Sequence, residues 1–202
     1  MIITKLLMLP GIIIGLSFHE FAHAWVSDRL GDPTPRRQGR VTVNPLAHID
    51  AIGFLALLLV GFGWGKPVQI DPGYYKNRRR DEFLVGIAGV TMNLLIAIIF
   101  SIPARAMVKA FSGVAASDLV YNIYLMLFYI VSINIVLMIF NLIPCPPLDG
   151  WGIITQIFRL DRYSWWYKVY QYGTWILLAL IMFNVTDRII TPLVSIILGV
   201  LL

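Results

Sequence analysis

Charge is scarce in this sequence. Only 13% of its 202 residues are Asp, Glu, Lys or Arg, against about 25% in an ordinary soluble domain. That leaves too little polar surface for a water-soluble fold of this size. Cysteine is scarcer still. Cys145 stands alone, which excludes an intrachain disulfide framework and says little about compartment. The chain has no repeat, no low-complexity tract and no long basic tail. Its net charge of +5 therefore does not point to nucleic acid. The cations gather in short polar stretches between apolar runs, as Lys and Arg do in cytoplasmic loops.

What remains is mostly apolar, 58% of the residues. A membrane-crossing helix needs about 20 such residues. Ile2 to Val26 is a first run, read as a retained helix rather than a cleaved signal peptide, because no small-residue cleavage site precedes its polar motif. Phe83 to Ala104 and Tyr121 to Ile143 are uncharged spans. Val169 to Thr186 is another, and Ile189 to Leu202 a shorter one. Ala51 to Phe62 is only a dozen residues long, which suits a re-entrant segment. Arg40 to Asn44 alternates like a short strand. Paired with Pro67 to Ile70, it could hold an extended substrate by strand addition. The expectation is an all-α polytopic membrane protein, one domain over residues 1–202. It has five to six membrane-embedded helices and a small β element near the cytoplasmic face.

Two of the three histidines sit in His19-Glu20-Phe21-Ala22-His23, an HExxH motif inside the first apolar run. Residues four apart share one helix face, so both imidazoles can grip one Zn²⁺ while Glu20 acts on a water held there. Ionisable groups inside membrane helices are expensive and functional by default. Catalytic zinc usually takes three protein ligands. The candidate for the third is Asp149, in Asn141-Leu-Ile-Pro-Cys-Pro-Pro-Leu-Asp149-Gly150. Here the prolines end the helix and let the chain turn inward. An ordinary N-cap for a helix from Gly150 to Leu160 is the alternative reading of Asp149. The incomplete HExxH site favours the ligand. Cys145 is a rival ligand, better read as a small packing residue. His48 is not counted as zinc-binding.

These motifs together resemble the site-2 protease family of intramembrane zinc metallopeptidases. The resemblance covers most of the chain. It rests on Phe18 to His23, Gly39 to Asp50, Gly63 to Pro67, Ala88 to Asn93 and Phe140 to Gly150. It is closest to the compact branch without PDZ or CBS domains. It implies that His19, His23 and Asp149 bind one Zn²⁺ per chain and that Glu20 is the catalytic base and acid. Val90 replaces a frequent proline and Cys145 a frequent aliphatic residue, and neither is a proposed ligand.

The expected reaction is hydrolysis of a peptide bond within or near a transmembrane segment of a protein substrate. Glu20 would activate a zinc-bound water for it. Asn141 is the first candidate for an oxyanion donor and Asn93 the second. Asn134, seven residues before Asn141, shares its face, and the alternative for each of the three amides is an interhelical hydrogen bond that only holds the bundle. The partners are a transmembrane protein and the lipid bilayer, with a homo-oligomer left open. The alternatives are a zinc or proton transporter, which has no need of Glu20, and an inactive scaffold. Topology follows from building one site. Asp149 must reach the depth of His19 and His23, near the cytoplasmic side. That holds if residues 51–62 dip in without crossing and the loop at 65–82, with its five Lys and Arg, is cytoplasmic.

Overall fold

In lipid every backbone polar group must be satisfied within the protein, so long apolar runs become helices. A computed structural model describes residues 2–60, 63–111 and 117–202. Among them it has α1 (Ile2–Arg29), α2 (Thr34–Arg37), α3 (Pro45–His48), α4 (Ala51–Val60), α5 (Arg78–Phe111), α6 (Asp118–Leu142), α7 (Asp149–Phe158), α8 (Ser164–Met182) and α9 (Val185–Leu201). The first, fifth and sixth pack against one another as a central trio. Helix α7 lies on α5, and α9 lies on α6. The trio's contact faces are small or aliphatic except for a few buried polar side chains, Ser17, His19, His23, Asn93 and Asn134. A Cβ at Gly11 would meet Tyr129 O and Ile130 Cα of α6 at 3.0 and 3.1 Å, so glycine lets the two backbones approach.

Among the described residues α1, α5 and α6 are long and apolar enough to cross a membrane. Helices α8 and α9, bent by 71° at a short break, would count together as a fourth span. The expected count of five to six is therefore not reached. The run read as one span, 169–186, is cut at Phe183 and Asn184, where Asn184 takes a left-handed conformation (φ 54°). Helix α4 has 10 residues, about 15 Å of helix, half of the ~30 Å hydrocarbon core. It is too short to cross by itself. Positions 61 and 62 of that expected segment lie outside the described residues.

The small β element does not form among the described residues. Their only β pairing is an isolated antiparallel bridge, Ile49 with Gly65. The alternation at Arg40 to Asn44 misleads because side chains there take the backbone groups that a ladder would need. Arg40 is buried, and its guanidinium donates to Ala47 O and Lys66 O. The buried His48 ring donates from Nε2 to Thr42 O at 2.7 Å. Burial pushes its pKa down. Asn44 Oδ1 accepts from Leu46 N and Pro45 opens α3, so the chain turns where a strand would continue. The result is a knot, not a sheet, and it carries the chain to the segment after Lys66.

A second polar hub fixes that segment at the end of α1. Buried Asp32 accepts from Ser27 Oγ at 2.9 Å, Thr34 N at 2.9 Å and Asp71 N at 2.8 Å. Burial alone would raise its pKa, but these hydrogen bonds outweigh burial and hold the carboxyl below the ordinary range. Ser27 Oγ also meets the Tyr75 hydroxyl at 2.7 Å, and burial pushes that phenol up to about 12.

Candidate active site

The HExxH spacing places His19 and His23 one turn apart on the face of α1 that meets α5. Their Nε2 atoms lie 3.0 Å apart. Asp149, first residue of α7, brings Oδ2 to 3.2 Å from each. It does not cap the helix. Leu148 occupies the cap position, without a side-chain bond. The alternative reading of Asp149 is thus not realised.

The partners of the two rings fix which nitrogen carries the proton. His23 Nδ1 is 2.7 Å from Val85 O, which can only accept. His19 Nδ1 is 2.7 Å from Asn93 Oδ1. That amide cannot be turned round, because Asn93 Nδ2 donates to Gly15 O at 3.1 Å and to Asn134 Oδ1 at 2.9 Å. Asn134 is oriented in turn by its own donation to Ile130 O at 2.8 Å. Both Nδ1 atoms are therefore donors, so in the neutral rings both Nε2 atoms turn lone pairs toward the carboxylate.

Asp149 Oδ2 is buried and receives no hydrogen bond. Two lone pairs and a carboxylate oxygen facing one point repel each other unless a cation or added protons sit between them. The three side chains are the group of potential metal ligands found among the described residues. Two imidazoles and one carboxylate suit Zn²⁺, with a coordination position left for water or substrate. Gly89 of α5 makes room for them, since a Cβ there would collide with His23 Nε2 and His19 Cε1.

The group opens on a cavity of about 580 Å³. Glu20 lines it, half-buried, with Oε2 accepting from Val68 N at 2.9 Å. That bond ties the carboxylate to the extended segment after the Arg40 knot. Asn141 also lines the cavity. One of its amide hydrogens goes to Leu137 O at 3.0 Å, which leaves the other for a ligand. The second oxyanion candidate sits elsewhere. Asn93 is fully buried among α1, α5 and α6 with its amide committed on both sides, so its geometry suits holding His19. Among the described residues neither His48 nor Cys145 joins the ligand group. Cys145 packs with Ile143 and Leu177.

Sequence reasoning offered Asn93 both as a second oxyanion donor and as an interhelical hydrogen bond, and it did not single out Gly89. The available signal was their spacing, four residues apart on one helix, so that both meet the same turn of α1.

The profile of peptidase family M50 matches residues 104–184, a stretch that includes Asp149. "Putative zinc metalloprotease YwhC" of Bacillus subtilis is 33% identical over 191 residues, 91% of this chain and 84% of that protein. "Putative zinc metalloprotease Rip2" of Mycolicibacterium smegmatis is 25% identical over 189 residues, 91% of this chain and 69% of its own length. The Mycobacterium tuberculosis protein of the same name is 26% identical over 159 residues, 76% of this chain and 58% of its own. No solved structure matches.

Proposed function

The chain belongs to peptidase family M50, the zinc metalloproteases, and from that membership we propose that it cuts peptide bonds within or beside a membrane-spanning segment of its substrate. The observation that carries this reading is convergence. His19, His23, Asp149 and Glu20 line one cavity, yet three of them lie on α1 and the fourth on the short α7 that follows α6, and α1 and α6 are both long and apolar enough to cross a bilayer.

His19 Nε2, His23 Nε2 and Asp149 Oδ2 would hold the zinc. Bound zinc supplies Lewis acidity, which polarises a scissile carbonyl and makes water easier to deprotonate. Glu20 takes the proton from the attacking water and returns it to the leaving amine. Val68 N–H keeps its carboxylate beside the cavity during both transfers. Asn141 offers its free amide hydrogen to the developing oxyanion. Asn93 positions His19 rather than touching the substrate. The walls from α5 and α7 limit water to the cavity mouth. The substrate helix must unwind to enter, because helical backbone is hydrogen-bonded and covered. The cationic stretches at 29–40 and 66–80 favour a mouth on the cytoplasmic side.

The test is zinc analysis with cleavage of a model transmembrane substrate by purified wild type and Glu20→Gln. General acid–base catalysis contributes roughly 10²–10⁴-fold. Cleavage should fall by that factor while zinc content stays equal. Unchanged cleavage would sink the mechanism.

A further inference from the structure

A second polar cavity, of about 390 Å³, lies where α5, α7 and the start of α8 meet. Four arginines line it, Arg78, Arg79, Arg159 and Arg162, against the carboxylates of Glu82 and Asp161. Two of the arginines are occupied. Arg78 pairs with Glu82 at 2.6 Å. Arg79 donates to Gln156 O at 2.5 Å and Ile157 O at 2.8 Å, closing the end of α7. The side chains of Arg159 and Arg162 have no hydrogen bond or ion pair among the described residues, and both are exposed. The cavity thus keeps an excess of unpaired positive charge.

Arg159 stands at an unusual place for its type. It ends α7 in a left-handed conformation (φ 54°, ψ 45°), the position that helices most often give to glycine. A bland account is that its charge complements the helix dipole. A dipole role, however, does not require the unpaired Arg162 beside it or a cavity between them.

The surroundings indicate depth. Tyr163, just before α8, and Trp165, Tyr167 and Tyr170, on its first turns, are exposed. Aromatic side chains with polar tips collect at headgroup level. Trp166, on the same turns, lines both this cavity and the metal cavity. Arginines at that depth meet phosphate, which their planar fork binds well.

We propose that this cavity binds the phosphate of an anionic phospholipid through Arg159 and Arg162. The lipid then sits against α7, the helix that presents Asp149, and beside the mouth of the catalytic cavity. This goes beyond the proteolytic reading and does not depend on it.

The test uses the full chain in nanodiscs of phosphatidylcholine alone or mixed with phosphatidylglycerol. Native mass spectrometry counts the lipid retained on detergent release. Wild type should retain phosphatidylglycerol and release phosphatidylcholine. A cation near a charged membrane surface is worth about a fivefold factor, so Arg159→Gly with Arg162→Gln should weaken retention about 25-fold. Arg159→Gly alone should cost about fivefold without lowering the melting temperature, because glycine suits that backbone. Arg162→Gln alone tests the same point if the double variant does not fold. Equal retention of phosphatidylglycerol by wild type and variants overturns the proposal, as does equal retention of both lipids by wild type. Displacement of the lipid by inorganic phosphate would assign the site to free phosphate instead. Unchanged lipid retention with a raised KM for a substrate carrying acidic flanking residues would assign it to peptide.

Discussion

His19 and His23 sit on a 28-residue helix packed against α5 and α6, and each spends Nδ1 on an oxygen of α5. Asp149 opens a 10-residue helix after a loop with three prolines, and its Oδ2 receives no hydrogen bond. The two sides of the proposed zinc site are built differently. The histidine side is oriented by a buried polar relay among α1, α5 and α6. The carboxylate side is aimed only by the docking of α7. Interhelical hydrogen bonds in membranes average about 0.6 kcal/mol, so the relay adds little stability. Its contribution is direction, which a metal ligand needs more. Faults on the histidine side should therefore cost more than faults of similar size on the α7 side.

The largest effect should come from Gly89→Ala, which strikes both histidines at once. Its methyl would overlap His23 Nε2 and His19 Cε1, and both are held by buried partners that cannot yield. Zinc affinity should drop beyond the ~10–100-fold typical of outer-shell changes, with helix content by circular dichroism unchanged. Retained zinc in this variant would mean that α1 and α5 shift apart easily, and the rigid-side argument would fail. Asp149→Asn should come next. It removes the carboxylate but leaves both oriented Nε2 atoms, so zinc should bind weakly rather than not at all. Isothermal titration of the purified protein separates the two variants.

Much of this was legible in the sequence, and the misses have a common cause. Spacing within one helix is local, so HExxH put both imidazoles on one face before any fold was known. The proline-rich loop before Asp149 announced a turn, and the dozen-residue run from Ala51 was visibly too short to cross. What could not be read was which side chains would meet across helices. Asn93 looked like any amide near a site, yet its partners lie 74 and 41 residues away. The Arg40 alternation met the strand pattern, but burial of Arg40 and its bonds to Ala47 and Lys66 were decided by chain reversal at Pro45. The bend at Asn184 was read a few residues late, because the charges that marked a boundary, Asp187 and Arg188, lie inside α9 and not at its break.

Asn93→Ala tests the relay alone. It leaves His19 Nδ1–H and Gly15 O without their partner, and neither can reach water in the helix core. Zinc affinity should fall roughly 10–100-fold. Asn93→Asp separates orientation from polarity. Its carboxylate can still accept from His19 but cannot donate to Gly15 O or Asn134 Oδ1. Intermediate affinity is expected, and affinity equal to wild type would show that acceptance by Oδ1 is the whole of the effect.

The smallest effect should come from Arg79→Gln, on the α7 side. Arg79 closes α7 through Gln156 O and Ile157 O, and Gln156 Nε2 also donates to Glu82 Oε2 at 2.5 Å. A cation at a helix C-terminus contributes about 0.3–1 kcal/mol, a roughly two- to fivefold factor. Hydrogen exchange in Asp149–Phe158 should quicken by that order, with zinc affinity lowered no further. The Glu82 bond to Gln156 remains to hold the helix, which is why the loss should be small. If Arg79→Gln instead lowered zinc affinity more than Asn93→Ala, the carboxylate would be the better-oriented ligand. The contrast between the two sides of the site would then be reversed.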